Sequence, residues 1–166
     1  MADPSTIGFI GLGVMGNGMC CNLARKSGKR VIAHDPVPQA VERVREAGAE
    51  TAASVGEVAA VADIVFLSLP GREQVQEVFL GDGGLLGDGS VVRTVVDFST
   101  VPVRETREIA RRLADNGIDF ADCPVARGRE AAAKGTLSIM AGGRPEVYER
   151  ILPFLQSVAT DISHCG

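Results

Sequence analysis

The stretch "TIGFIGLGVMGNGM" limits what this chain can fold into more than any other. A short β-rich apolar run, residues 6–11, leads straight into Gly11-Leu12-Gly13-Val14-Met15-Gly16, and a helix-period segment comes next without a gap. A G-x-G-x-x-G alone is weak, because glycine-rich turns are common. Here a strand precedes it and a helix opens on it. Asp35 then closes the next apolar run, "RVIAHD", 19 positions after Gly16. That combination is the context of a dinucleotide-binding turn. Gly11 permits the tight turn, Gly13 lets the backbone approach a pyrophosphate, and Gly16 lets helix and strand pack closely. The helix would present its positive end to the phosphates. Asp35 would accept hydrogen bonds from the adenosine ribose and repel a 2′-phosphate. No arginine comes directly after it, so NAD is favoured over NADP.

The rest of the chain repeats the strand–helix alternation. Strands are predicted at 6–11, 30–35, 49–51, 63–69, within 90–99, and at 118–125, 136–143 and 160–165. Helices are predicted at 15–28, 38–47, 71–80, 103–117 and 145–158, the last interrupted by Pro153. Ser54 and Glu57 have the spacing of a capping box ahead of "VAAVA". "GDGGLLGDG", 81–89, reads as a loop. "DIVFLSL" is nearly all apolar, as a parallel strand covered on both faces should be. With no repeat, linker or low-complexity tract, the pattern predicts one α/β domain over 1–166, a doubly wound Rossmann-type, mostly parallel sheet.

Composition removes several function classes. A formal charge of −4 argues against general attraction to nucleic acid or an anionic membrane. No tryptophan and one tyrosine leave no set of base-stacking aromatics. No apolar run is long enough to span a bilayer, and "MADPSTIGF" shows no basic leader. Cys20, Cys21, Cys123 and Cys165 match no zinc or disulfide spacing. They read as reduced and mostly buried, which fits the cytoplasm, and no metal site is predicted.

Ligands in such sheets bind outside the carboxyl ends of the strands, so other strand ends belong to the same crevice. Leu69 and Pro70 in "SLP" are placed to line the apolar side of a cofactor, and Thr100 in "DFST" to bond a ribose or the nicotinamide. From sequence alone, strand termination and helix capping explain these residues equally well.

Taken together, "GFIGLGVMGNGM", "SLPGREQVQEVF", "VVDFST", "DCPVARG" and "GTLSIMAGG" resemble, in order and spacing, the β-hydroxyacid dehydrogenases, a family related to 6-phosphogluconate dehydrogenase. The resemblance covers essentially the whole chain. It implies NAD(P)-dependent interconversion of a short β-hydroxy acid and its aldehyde or ketone, in a homodimer when full-length. It puts cofactor contacts at Gly11, Leu12, Gly13, Val14, Met15, Gly16, Asp35, Leu69, Pro70, Gln74 and Thr100. It puts substrate contacts at Ser99, Ala126, Arg127 and Gly128, with a small anionic β-hydroxy acid or semialdehyde as partner.

Two departures from the family pattern shape these expectations. Where the family reads "PVSGG", this chain has Pro124-Val125-Ala126-Arg127-Gly128. The substrate serine corresponds to Ala126 and the glycine after it to Arg127, which makes Arg127 the candidate anion clamp. The family also continues into an all-helical domain whose early lysine is the general acid/base. Residues 1–166 stop short of it, so that lysine is expected beyond Gly166 and no catalytic residue is assigned within the chain. Lys26 and Lys29 sit at the far end of the first helix, and Lys134 reads as a surface residue. His34 is expected beside the adenosine or facing solvent, and His164 as a structural residue. Two other readings stay open: an NADP-dependent reductase of the same family, and a catalytically silent dinucleotide-binding or interaction module.

Overall fold

The computed structural model describes residues 5–166, so the reading that no basic leader stands at residues 1–4 lies outside the described residues. Six strands form one parallel sheet: β1 (Thr6–Ile10), β2 (Arg30–His34), β3 (Glu50–Thr51), β4 (Ile64–Leu67), β5 (Thr94–Asp97) and β6 (Asp119–Asp122). Their order is β3-β2-β1-β4-β5-β6. The order reverses direction between β1 and β4, and a crevice opens there beyond the carboxyl ends of the strands.

Parallel strands need covering on both faces, and the sequence supplies apolar residues for both. Every residue of β1, β4 and β5 is buried. On one face the strands pack against α1 (Gly16–Lys26), α2 (Pro38–Glu46) and α7 (Pro145–Val158). On the other lie α3 (Val55–Ala59), α4 (Arg72–Leu80) and α5 (Val103–Asp115). Phe66 on β4 stacks between Phe9 and Phe98, with ring centroids 6.5 and 5.7 Å away, and meets the edge of Phe154 from α7. Burying one such phenyl ring stabilises the fold by about 1.5–3 kcal/mol.

The predicted capping box is present with one shift. The Glu57 amide donates to the Ser54 hydroxyl at 3.2 Å, while the Glu57 carboxylate reaches back to the amide of Ala53 at 2.7 Å. Two predictions need correction. The strand read over 118–125 divides at Cys123–Pro124, because proline has no N–H to continue the ladder. Residues beyond the break form a second sheet, in the order β7-β8-β9, from β7 (Val125–Ala126), β8 (Leu137–Ala141) and β9 (Ala159–His164). Helix α6 (Gly128–Lys134) connects the first two. Finally, α7 runs unbroken through Pro153, because its buried face of Val147, Ile151, Phe154, Leu155 and Val158 outweighs one lost hydrogen bond.

Candidate functional site: a crevice at the glycine-rich turn

The turn between β1 and α1 is built by what its glycines avoid. Gly11 has φ +91°, and a Cβ there would stand 2.3 Å from the Ser68 carbonyl oxygen. A Cβ on Gly16 would lie 1.9 Å from the carbonyl oxygen of Gly11, so only glycine lets α1 begin this close to the turn. Gly13 is different: a Cβ there would meet nothing within 4 Å. Its missing side chain leaves room in the crevice rather than relieving a contact within the protein. Among the described residues no side chain caps α1, and its first turn carries no acid. The Asn17 amide already bonds the Gly13 carbonyl at 3.0 Å, while the Gly16 and Gly18 amides, with the peptide dipoles aligned behind them, face the turn without a side-chain cap.

Asp35 stands at the end of β2 beside this turn. One carboxylate oxygen accepts the Leu12 amide at 2.6 Å, and the other accepts the Val37 amide at 2.8 Å. Each oxygen keeps acceptor capacity, so the carboxylate is held in place and still able to take a ribose diol. Next to it, His34 Nδ1 lies 3.0 Å from the Ala52 carbonyl, which accepts from it.

These groups border a crevice of about 1090 Å³, just above the ~300–1,000 Å³ span of small-molecule sites and suited to an extended ligand. Of the residues predicted to touch a cofactor, Gly11, Gly13, Val14, Met15, Gly16 and Asp35 line it from one side. Leu69, Pro70 and Gln74 line it from the other. Leu12 contributes its amide while its side chain is buried in the core. Thr100 stands outside these walls. The sequence reading missed Ser54 and Val55 at the start of α3, Glu77 and Val78 on α4, and Asp82 to Gly84 in the next loop. Glu77 was findable, since it lies three residues after Gln74 and so shares its helix face. A separate apolar notch between α4 and α5, about 60 Å³, lies away from the turn.

The residues predicted to hold a substrate lie apart from the crevice walls. Ser99 is buried; its hydroxyl accepts the Leu69 amide at 2.9 Å and so supports the β4 end of the cofactor crevice. Ala126, Arg127 and Gly128 are exposed where β7 passes into α6. The Arg127 guanidinium, read as an open anion clamp, is engaged: it bonds the Asp161 carboxylate at 3.2 Å, the Thr160 hydroxyl at 3.3 Å and the Thr136 carbonyl at 3.2 Å. Buried Asn22 on α1 donates to the Ala132 and Ala133 carbonyls at 3.0 Å each, fastening the end of α6 onto the helix that starts at the glycine-rich turn.

None of the expected non-catalytic side chains turns toward the crevice from β9 or α6. Lys134 is exposed and paired with Glu130 at 2.8 Å, and Lys26 donates to the Ser157 carbonyl. His164 stacks on Tyr148 at 4.4 Å and bonds the Gly143 carbonyl, the structural role read for it. Gly166 is tied back to the same loop, its carbonyl accepting the Gly143 amide at 2.9 Å. The lysine expected beyond Gly166 lies outside the described residues, and no lysine within them lines the crevice in its stead.

A parallel sheet of this order, with a glycine turn opening on an uncapped helix and a carboxylate closing the second strand, defines a dinucleotide-binding domain. Residues 6–166 match the family described as the NAD binding domain of 6-phosphogluconate dehydrogenase, and the chain belongs to it. Over its whole length it is 41% identical to 2-(hydroxymethyl)glutarate dehydrogenase of Eubacterium barkeri, covering 55% of that protein. The structure of Mycobacterium tuberculosis 3-hydroxyisobutyrate dehydrogenase with L-serine superposes with TM-score 0.89 at 34% identity, over 98% of this chain and 54% of that one. Psf3 in complex with NADP+ and 2-OPP superposes with TM-score 0.86 at 32% identity, over 95% of this chain and 55% of that one. The chain thus spans about half the length of the relatives it matches.

Proposed function

We propose that this domain is the cofactor-binding half of an NAD-dependent dehydrogenase that interconverts a short β-hydroxy acid and its aldehyde or ketone. The observation that carries the reading is the pairing of an α1 start without side-chain cap or acid with a fixed Asp35 across one crevice. The amides receive the pyrophosphate, Asp35 takes the adenosine ribose, and Leu69, Pro70 and Val78 supply an apolar wall. The bound nicotinamide cofactor supplies the hydride chemistry, and the protein supplies geometry and charge. The dehydrogenase names of the similar proteins support the substrate class.

The substrate end belongs to the loop after β6. β6 is parallel to its neighbours, so "DCPVARG" leaves the sheet at the same edge as the glycine-rich turn. In this reading Arg127 meets an anionic substrate only by exchanging Asp161 for it. The lysine that moves the proton would come from beyond Gly166, and the whole protein would work as a cytoplasmic homodimer. Titration calorimetry of residues 1–166 with NAD tests the cofactor half: saturable 1:1 binding is expected, and no binding at millimolar NAD would overturn it. Assay of the whole protein against short β-hydroxy acids, following NADH, tests the substrate class; turnover of none of them would exclude it.

A further inference from the structure

The glycine-rich turn and Asp35 account for a pyrophosphate and a ribose, but the crevice has a further charge pattern. Three carboxylates line it, from Asp35, from Glu77 on α4 and from Asp82 in the loop after α4; among the described residues no lysine or arginine does. Among the same residues none of the three is ion-paired.

The backbone that carries both additional acids is held in place. Glu77 shares the crevice face of α4 with Gln74 and Val78. Asp82 sits in a braced loop: the Gly84 amide bonds the Gly81 carbonyl at 2.8 Å, and the amide of buried Leu85 bonds the Val78 carbonyl at 2.8 Å. The Gly83 carbonyl stands 3.0 Å from where a Cβ on Gly56 would be, so this loop closes against α3. The start of α3 forms the facing wall beside His34 and Asp35. Arg45 lies in a shallow groove on the other side of Asp35, where Glu42 and Thr51 hold its guanidinium.

Resting on the reading of this crevice as the NAD site, we propose that Glu77 and Asp82 act with Asp35 as an electrostatic filter against NADP. A 2′-phosphate carries close to two negative charges at neutral pH and would enter a cleft already holding three uncompensated carboxylates. The 2′-hydroxyl of NAD brings no charge and donates to Asp35. Asp35 therefore discriminates by contact and charge together. Glu77 and Asp82 discriminate through their field alone, which acts over a Debye length of ~10 Å at 0.1 M salt.

The test is titration calorimetry of residues 1–166 with NAD and with NADP, for the native chain, Asp35→Asn, the pair Glu77→Gln with Asp82→Asn, and all three together. Circular dichroism checks that each variant is folded; the substitutions keep side-chain size, and both additional acids are exposed. Asp35→Asn is expected to narrow the NAD preference but leave it several-fold. That remainder should shrink as salt rises from about 0.05 to about 0.5 M. The Glu77/Asp82 pair should tighten NADP about three- to tenfold while NAD stays within twofold, and the triple variant should bind both alike. Equal binding of NAD and NADP by Asp35→Asn alone would overturn the proposal, as would an NADP affinity unmoved by the pair. Failure of NAD to bind the native chain would overturn the underlying reading, and with it this one.

Discussion

Asp97 and Asp122 stand side by side as register partners at the carboxyl ends of β5 and β6. Asp97 is buried; one oxygen accepts the Ser99 amide at 2.8 Å, and the other has no hydrogen-bond partner among the described residues. Burial pushes its pKa up, and the Ser99 hydroxyl and amide offset part of that rise. Burial, then the charge of Asp97, pushes the half-buried Asp122 up to about 6.

A carboxyl group whose pKa is raised by folding contributes stability below its unfolded value, near 3.8, and loses it as pH climbs through about 6. Asp122→Asn should therefore leave stability unchanged near pH 4 and raise it at pH 7.5. Half-exposure and screening reduce the gain to about 1 kcal/mol. Urea denaturation at the two pH values measures it; a variant less stable than native at pH 7.5 would refute the coupling. Asp63, Glu50 and Glu108, whose pKa values are lowered, push native stability the opposite way with pH, so the difference between the two proteins is the quantity to read.

Arg127 is the only non-glycine residue with positive φ among the described residues, at 83°, and Gly128 comes next at 69°. An L-residue in that conformation costs about 1–2 kcal/mol, and its exposed ion pair with Asp161 returns about 0–1 kcal/mol. Arg127→Ala keeps the strain and loses the pair, whereas Arg127→Gly loses both. The glycine variant should accordingly be more stable than the alanine variant by about 1 kcal/mol. Equal melting temperatures would mean that the loop relaxes around the side chain.

The fold was legible because both of its periodicities are strong. Alternating strand and helix runs pointed to a doubly wound, mostly parallel sheet, and the spacing from Gly16 to Asp35 pointed to the cofactor turn. The chain after Cys123 was less legible. Pro124 ends one ladder and starts another sheet, but a proline near a strand end also reads as simple termination. Glu77, Asp82 and the start of α3 reach the crevice only through the way α3, α4 and their loops pack, which no local pattern encodes. The partners of Arg127 were illegible for a related reason. A guanidinium near a substrate loop suggests an anion, and its partners Thr160 and Asp161 lie more than thirty residues away in sequence.

Residues 1–166 alone should turn over no β-hydroxy acid. Lys134 is held by Glu130 and His164 by Tyr148 and Gly143, so neither is aimed at the crevice. Loss of a positioned general acid/base costs ~10²–10⁴-fold. NADH formation by the purified domain at the rate of the whole protein would assign the proton transfer to one of these residues.

The turn's glycines should separate binding from folding. At Gly13 an added methyl group enters the crevice and touches nothing in the protein. Gly13→Ala should thus leave the melting temperature within a degree or two while weakening NAD at least tenfold, on the order of the ~1.4 kcal/mol that a tenfold change represents. At Gly16 the added carbon would meet the Gly11 carbonyl oxygen at 1.9 Å, against backbone that cannot swing aside. Gly16→Ala should lower stability by ~1–3 kcal/mol, as overpacking does, by displacing α1 from the turn. Thermal melts and NAD titrations on the same two preparations decide the matter. If Gly13→Ala bound NAD as tightly as native protein, the pyrophosphate would not lie over this turn. If Gly16→Ala melted like native protein, α1 would not depend on this close approach.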